Sequence, residues 1–197
     1  MNNLSRKDLM TLEAYSEVRP EFRKQVMAHK KNRRIMIGPA ISLHFEDRLT
    51  IQYQIQEMLR VEKIFDSAGI QEELESYNPM LPNGSNWKAT MMIEYPDPEE
   101  RAVHLARMIG IERMTWVQVG DLAQVTAIAD EDLDRENEVK TSSVHFMRFE
   151  LDNEMLAAAK AGADIHMGID HPYYLHKLTL SDAQRSSLTG DLNEYTL

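Results

Sequence analysis

The stretch Ile41 to Asp66, ISLHFEDRLTIQYQIQEMLRVEKIFD, changes its period part-way. Ile41, Leu43 and Phe45 alternate with Ser42, His44 and Glu46, which is the two-residue period of a strand. From Arg48 the apolar residues recur at helical spacing, and Asp47 stands where an N-cap belongs. Laid out at roughly 100° per residue, Ile51, Ile55, Met58, Leu59, Val61 and Phe65 fall on one broad arc. Gln52, Gln56, Arg60, Lys63 and Ser67 fall on the other side. A strand feeding a helix from Arg48 to Ser67 is therefore the expected spine of the fold. Glu62 lands near the centre of the apolar arc. A buried lone carboxylate is costly, so Glu62 is expected in an ion pair with Arg or Lys, or as a metal ligand or general acid/base, or else outside the core after all.

Ahead of the spine, Leu4 to Val18 reads as a helix capped by Ser5, with Asp8 completing a capping box. Pro20 suits the first turn of a second helix, Glu21 to about Asn32. This segment ends in a basic cluster that includes Lys30, Lys31, Arg33 and Arg34. The cluster reads either as cations favoured at a helix C-terminus or as an anion, phosphate or acidic-partner site. Gly38-Pro39 breaks the pattern before the strand.

Beyond the spine, Gly69 is expected to end the long helix, with a short one following at Gln71 to Ser76. Asn78 to Trp87 is rich in turn residues and reads as a rim or lid loop. Lys88 to Tyr95 reads as a strand with Thr90, Met92 and Glu94 on one face. A helix follows from Pro96-Asp97-Pro98 to Ile109, then a hairpin of Met114 to Val119 and Leu122 to Ile128. Ala129 to Lys140 is acidic and polar. Ser143 to Leu151 is a strand whose face carries His145, Met147, Phe149 and Leu151. Here His145 reads as a satisfied core histidine or a ligand. Asp152 caps a helix to Ala161; strands centred on Met167 and on Tyr173 to Leu180 follow, and Ser181 caps a last short helix. The order predicts an α+β class, one domain over 1–197, with a mixed or antiparallel sheet packed by helices. A helical arm over 1–37 leads the 38–197 core and offers a surface for a homodimer.

Composition narrows the chemistry. The chain has no cysteine, so disulfides, thiolate metal sites, cysteine nucleophiles and cysteine-ligated clusters are excluded. Any iron, manganese or zinc would need His, Asp or Glu. A net charge of −10 argues against nonspecific nucleic-acid binding. No apolar run reaches the length of a membrane helix and the N-terminus lacks a secretory h-region, so a cytoplasmic protein is expected. The phosphate-loop, dinucleotide, HExxH, EF-hand and nucleophile-elbow motifs are all absent.

Several segments carry a family resemblance. They are RPEFR at Arg19 to Arg23, KKNRR at Lys30 to Arg34, FEDRLTIQYQIQEMLRVE at Phe45 to Glu62, YNPMLP at Tyr77 to Pro82, ATMMIEYPDPEER at Ala89 to Arg101 and TSSVHFMRFEL at Thr141 to Leu151. With them the chain resembles the bacterial domain-of-unknown-function family 3501. The resemblance implies a redox setting, with rubrerythrin-like proteins or iron–sulfur oxidoreductases as partners. It also singles out Glu46, Glu57, Glu62, Glu94 and His145 as a set that would suit iron, manganese or zinc, or line a polar pocket without metal. The leading expectation is an accessory or binding protein with a polar pocket beside the spine helix. An enzyme using Glu62 or Glu94 with His145, and an interaction module using the basic arm, are the alternatives.

Overall fold

The computed structural model describes residues 3–131 and 139–193. A capping box of Ser5 and Asp8 opens the chain, but on a 3-10 turn, Arg6–Asp8. Thr11 caps the first α-helix, α1 (Leu12–Lys30), which runs through Pro20 without ending. Two helices meeting at Pro20 were expected. The continuous helix survives the lost N–H of Pro20 because it is tied down on both sides of that residue. Tyr15 and Arg19 bond Glu57 on the neighbouring helix, and Val26 is fully buried beyond it.

The strands β1 (Arg34–Ile37) and β2 (Ile41–Phe45) form a hairpin about Gly38, so the last residues of the expected arm belong to the sheet. Then come α2 (Arg48–Glu62), α3 (Ser67–Tyr77), β3 (Asn86–Ile93) and α4 (Pro98–Arg107). The remainder is β4 (Thr115–Val119), β5 (Val125–Thr126), β6 (Ile128–Ala129), β7 (Val144–Glu150), α5 (Asn153–Lys160), β8 (Ile165–His171), β9 (Tyr174–Thr179) and α6 (Asp182–Thr189). Most of the acidic 129–140 stretch, residues 132–138, lies outside the described residues.

The fold is α+β, with two antiparallel sheets ordered β1-β2-β3-β7-β6 and β5-β4-β8-β9. Strand alternation turns Leu43, Phe45, Trp87 and Met91 of the first sheet toward Val117, Met167 and Ile169 of the second, in one buried cluster. On one side the chain passes directly between sheets: β5 pairs with β4, β6 pairs with β7, and the Ala127 N–H donates to the Thr115 carbonyl between them. On the other side the Tyr174 hydroxyl donates to the Ile37 carbonyl at 2.7 Å and accepts from the Ala40 N–H at 3.0 Å. Gly38 allows this approach: its φ is +72°, and a Cβ would stand 2.6 Å from the His176 ring. Helices α1 to α3 bury a separate cluster around Ile51, Ile55, Leu59 and Leu74.

Gly168 on β8 lies against the Trp116 indole, where an added Cβ would come within 2.3 Å of the ring. Gly168→Ala is therefore expected to destabilise by about 1–3 kcal/mol through overpacking. A lowered urea midpoint at unchanged slope would show it; an unchanged midpoint would mean that the indole moves aside freely.

Candidate functional site

The outward face of the first sheet holds the candidate site. Alternation places Lys88 and Thr90 of β3 and Phe146 and Arg148 of β7 on that face, with Glu46 just past the end of β2. The end of α3 and the 3-10 turn Asn78–Met80 roof them with Ser76, Pro79 and Met80. A cavity of about 190 Å³ is left between roof and sheet. This is below the usual range of roughly 300–1,000 Å³ for drug-sized ligands and suits a molecule of a few carbons.

Register sets the electrostatics of the cavity. Lys88 stands directly opposite Arg148 in the β3–β7 ladder, and like charges in that position destabilise a sheet. Arg148 is compensated: Nε and Nη2 donate to the Glu131 carboxylate at 2.9 and 2.7 Å, and Nη1 donates to Glu150 at 2.5 Å. Its guanidinium keeps two further N–H donors. The half-buried Lys88 ammonium has no hydrogen-bond or ion-pair partner among the described residues. Burial and then the Arg148 charge lower its pKa, against the pull of Glu131 and Glu150. Glu46 accepts from the Thr50 hydroxyl at 2.6 Å and, more weakly, from the Thr90 hydroxyl at 3.4 Å. The cavity thus combines a cation unmatched among the described residues, a second cation with donors to spare, two carboxylates (Glu46 held by hydroxyls and Glu131 by Arg148) and apolar walls.

Of the acids and histidine singled out from sequence, only Glu46 lines this cavity. Glu62 is exposed, the last residue of α2. The expected helix to Ser67 stops early because Lys63 takes a left-handed conformation, φ 56°, and Asp66 caps a new helix that runs through Gly69. The apolar arc thus ends before Val61 and Phe65 reach the core; Phe65 is 78% exposed. The partly buried acid of α2 is instead Glu57, which accepts from Tyr15 at 2.6 Å and from both sides of the Arg19 fork at 2.7 and 2.8 Å. The Arg19 fork holds the Glu57 carboxyl well below its usual range, and burial together with Glu57 pushes the Tyr15 hydroxyl above its own.

Glu94 follows β3 and accepts from Arg34 and from Ser42, each at 2.7 Å; Ser42 also bonds His44 at 2.9 Å. Hydrogen bonding from Ser42 and then the Arg34 charge lower the Glu94 pKa despite burial, while burial and Arg34 lower that of His44. His145 faces the interior, fully buried, between Asp130 at 2.5 Å and the Thr141 hydroxyl at 2.9 Å. Glu62, Glu94 and His145 therefore do not converge. Among the described residues no three His, Asp or Glu side chains form a group placed to hold a metal ion.

The basic cluster also divides. The Lys30 ammonium lies 5.8 Å from the centre of the Tyr53 ring, Lys31 is exposed, and Arg34 pairs with Glu94. Arg33 is only 2% exposed. The helix-to-strand turn drives it inward, where it binds the Phe45, Glu46 and Ser187 carbonyls and Asp191. Next to it, Asp47, Arg48, Asn83, Asp191 and Asn193 line a second, more polar cavity of about 350 Å³. The consecutive acids Glu46 and Asp47 thus open into different cavities.

The family model for the protein of unknown function DUF3501 matches residues 3–192. The chain belongs to this family. A crystal structure at 1.90 Å of a novel protein of unknown function from Burkholderia pseudomallei K96243 is similar to this DUF3501 chain. Identity is 50% over 97% of this chain and 100% of that one, with a TM-score of 0.92. No curated protein matches. The DUF3501 match takes in Glu46, Lys88 and Arg148 together. Among the described residues no helix is long and apolar enough to cross a membrane.

Proposed function

We propose that this DUF3501 protein binds a small amphipathic organic anion in the cavity between α3 and the first sheet. The observation that carries the reading is Lys88: a half-buried ammonium with no partner among the described residues, facing Arg148 across the ladder. Arg148 is matched by Glu131 and Glu150, so it is the half-buried Lys88 ammonium that is costly unless an anion joins it. The Lys88 ammonium and the free donors of Arg148 suit a carboxylate, and Phe146, Pro79 and Met80 suit a short carbon chain. An accessory role beside rubrerythrin-like or iron–sulfur oxidoreductase partners belongs to the same proposal and rests on the family resemblance alone.

Calorimetric titration with short-chain carboxylates tests the reading. Lys88→Met removes the charge at nearly constant bulk. A charge-assisted hydrogen bond is worth about 1.5–3 kcal/mol, so affinity is expected to fall about 10- to 100-fold. Equal affinities in the two proteins, with unchanged circular dichroism, would remove Lys88 and the reading with it.

A further inference from the structure

We propose that Lys88 is a nucleophile that forms a Schiff base with a small 2-oxo acid held in this cavity; the proposal rests on the anion-binding reading above. The cavity offers what this chemistry asks of a site. An amine is available, since no carboxylate bonds Lys88 among the described residues. A second cation, Arg148, stands directly opposite it, and a neighbouring cation together with desolvation is a recognised way of activating a lysine. Arg148 has donors left for the carboxylate of the oxo acid. Glu46 is beside Lys88 on the ladder, with its N–H donating to the Lys88 carbonyl, and its carboxylate lines the same cavity.

In the reaction the neutral Lys88 nitrogen attacks the carbonyl carbon. A C–N bond forms as the carbonyl π bond breaks, and the oxygen takes up a proton that the nitrogen gives up. The carbinolamine hydroxyl then takes a second proton, delivered through Glu46 from solvent, and leaves as water. A protonated imine remains, so one amine, one carbonyl and one proton give one iminium and one water. No oxidant or reductant is required. The carboxylate next to the carbonyl distinguishes a 2-oxo acid from a simple aldehyde, because only the acid engages the Arg148 guanidinium while presenting its carbonyl to the neutral Lys88 amine.

The test uses the full chain with pyruvate and sodium cyanoborohydride, read by intact mass and peptide mapping. The expected result is one reduced adduct at Lys88, suppressed by excess propionate, which has the carboxylate but no ketone. Lys88→Arg is expected to keep propionate binding and lose the adduct. Propionate bound without any adduct at Lys88 would overturn the Schiff base and leave the anion site standing. Failure to bind propionate or pyruvate would overturn both. Equal labelling of exposed lysines such as Lys24 and Lys31 would also overturn the assignment. The competition by propionate is read on the wild-type chain, so the test stands even if Lys88→Arg does not fold.

Discussion

Arg33→Ala is expected to destabilise the protein by about 3–5 kcal/mol, the cost of breaking a buried charge pair from one side. The guanidinium joins three parts of the chain. Nε and Nη2 donate to the carbonyls of Phe45 and Glu46 at the β2–α2 junction, each at 3.1 Å. Nη1 reaches the Ser187 carbonyl in α6, also at 3.1 Å, and Nη2 bonds Asp191 at 2.5 Å. Alanine leaves Asp191 and three carbonyls without this donor. Arg33→Lys is expected to recover only part of the loss, because an ammonium cannot span acceptors arranged around a planar fork. Urea denaturation reads the size of the effect. Trp87 reports its place, because its indole N–H donates to the Leu188 carbonyl at the end of α6. A loss below about 1 kcal/mol, the worth of an ordinary hydrogen bond, would contradict this role.

The second large effect is a pH dependence at Asp191. Arg33 serves two acids, Asp191 and Asp47. Burial pushes the Asp191 carboxyl up to about 6; the Asp47 charge adds to the rise and Arg33 opposes it. At Asp47 burial is outweighed by Arg33, the Thr50 N–H and His29, so its pKa is lowered. Asp191 therefore holds a proton in the folded state over a window, from about 6 down to its ordinary value of 3.8, in which the unfolded chain has released it. The folded state binds more protons there, so this contribution rises as pH falls across the window, by up to about 3 kcal/mol in all. Glu57 has the opposite sign: its depressed pKa stabilises the fold above 4.5, and that contribution is lost as pH falls further. The two are separated by comparing wild type with Asp191→Asn, which retains an acceptor for Arg33. The stability difference between the two proteins is expected to vary between pH 6.5 and 4 in the direction given. A difference that stays flat over this range would show that Arg33 keeps Asp191 ionised.

Much of the fold was legible because the period of the sequence is clear where packing is one-sided. β2 occupies Ile41–Phe45 as read, Asp47 and Asp152 cap their helices, and His145, Met147 and Phe149 share a buried face. Errors arose where a local signal met a tertiary one. Pro20 sits inside α1, and the left-handed Lys63 stops α2 although the apolar spacing continues through Phe65. That stop alone moves Glu62 from the core to solvent. The cavity escaped sequence reading for another reason. Both of its strands were recognised, and alternation puts Lys88 with Thr90 and Phe146 with Arg148. Which strands pair, and in what register, depends on the whole sheet. Lys88 meets Arg148 only through that register.

The passage of Val125–Ala129 from one sheet to the other has a consequence for motion. At this border one five-residue stretch supplies the last strand of both sheets, β5 beside β4 and β6 beside β7. With Tyr174 fastening the opposite border, the floor of the cavity on β3 and β7 cannot loosen without disturbing β4 and β8. The sheets should behave as one cooperative unit, with their most protected amides exchanging at a common free energy close to that of global unfolding. The α1–α3 roof has its own apolar cluster, so its amides are expected to exchange as a separate unit, at a lower free energy than the sheets beneath.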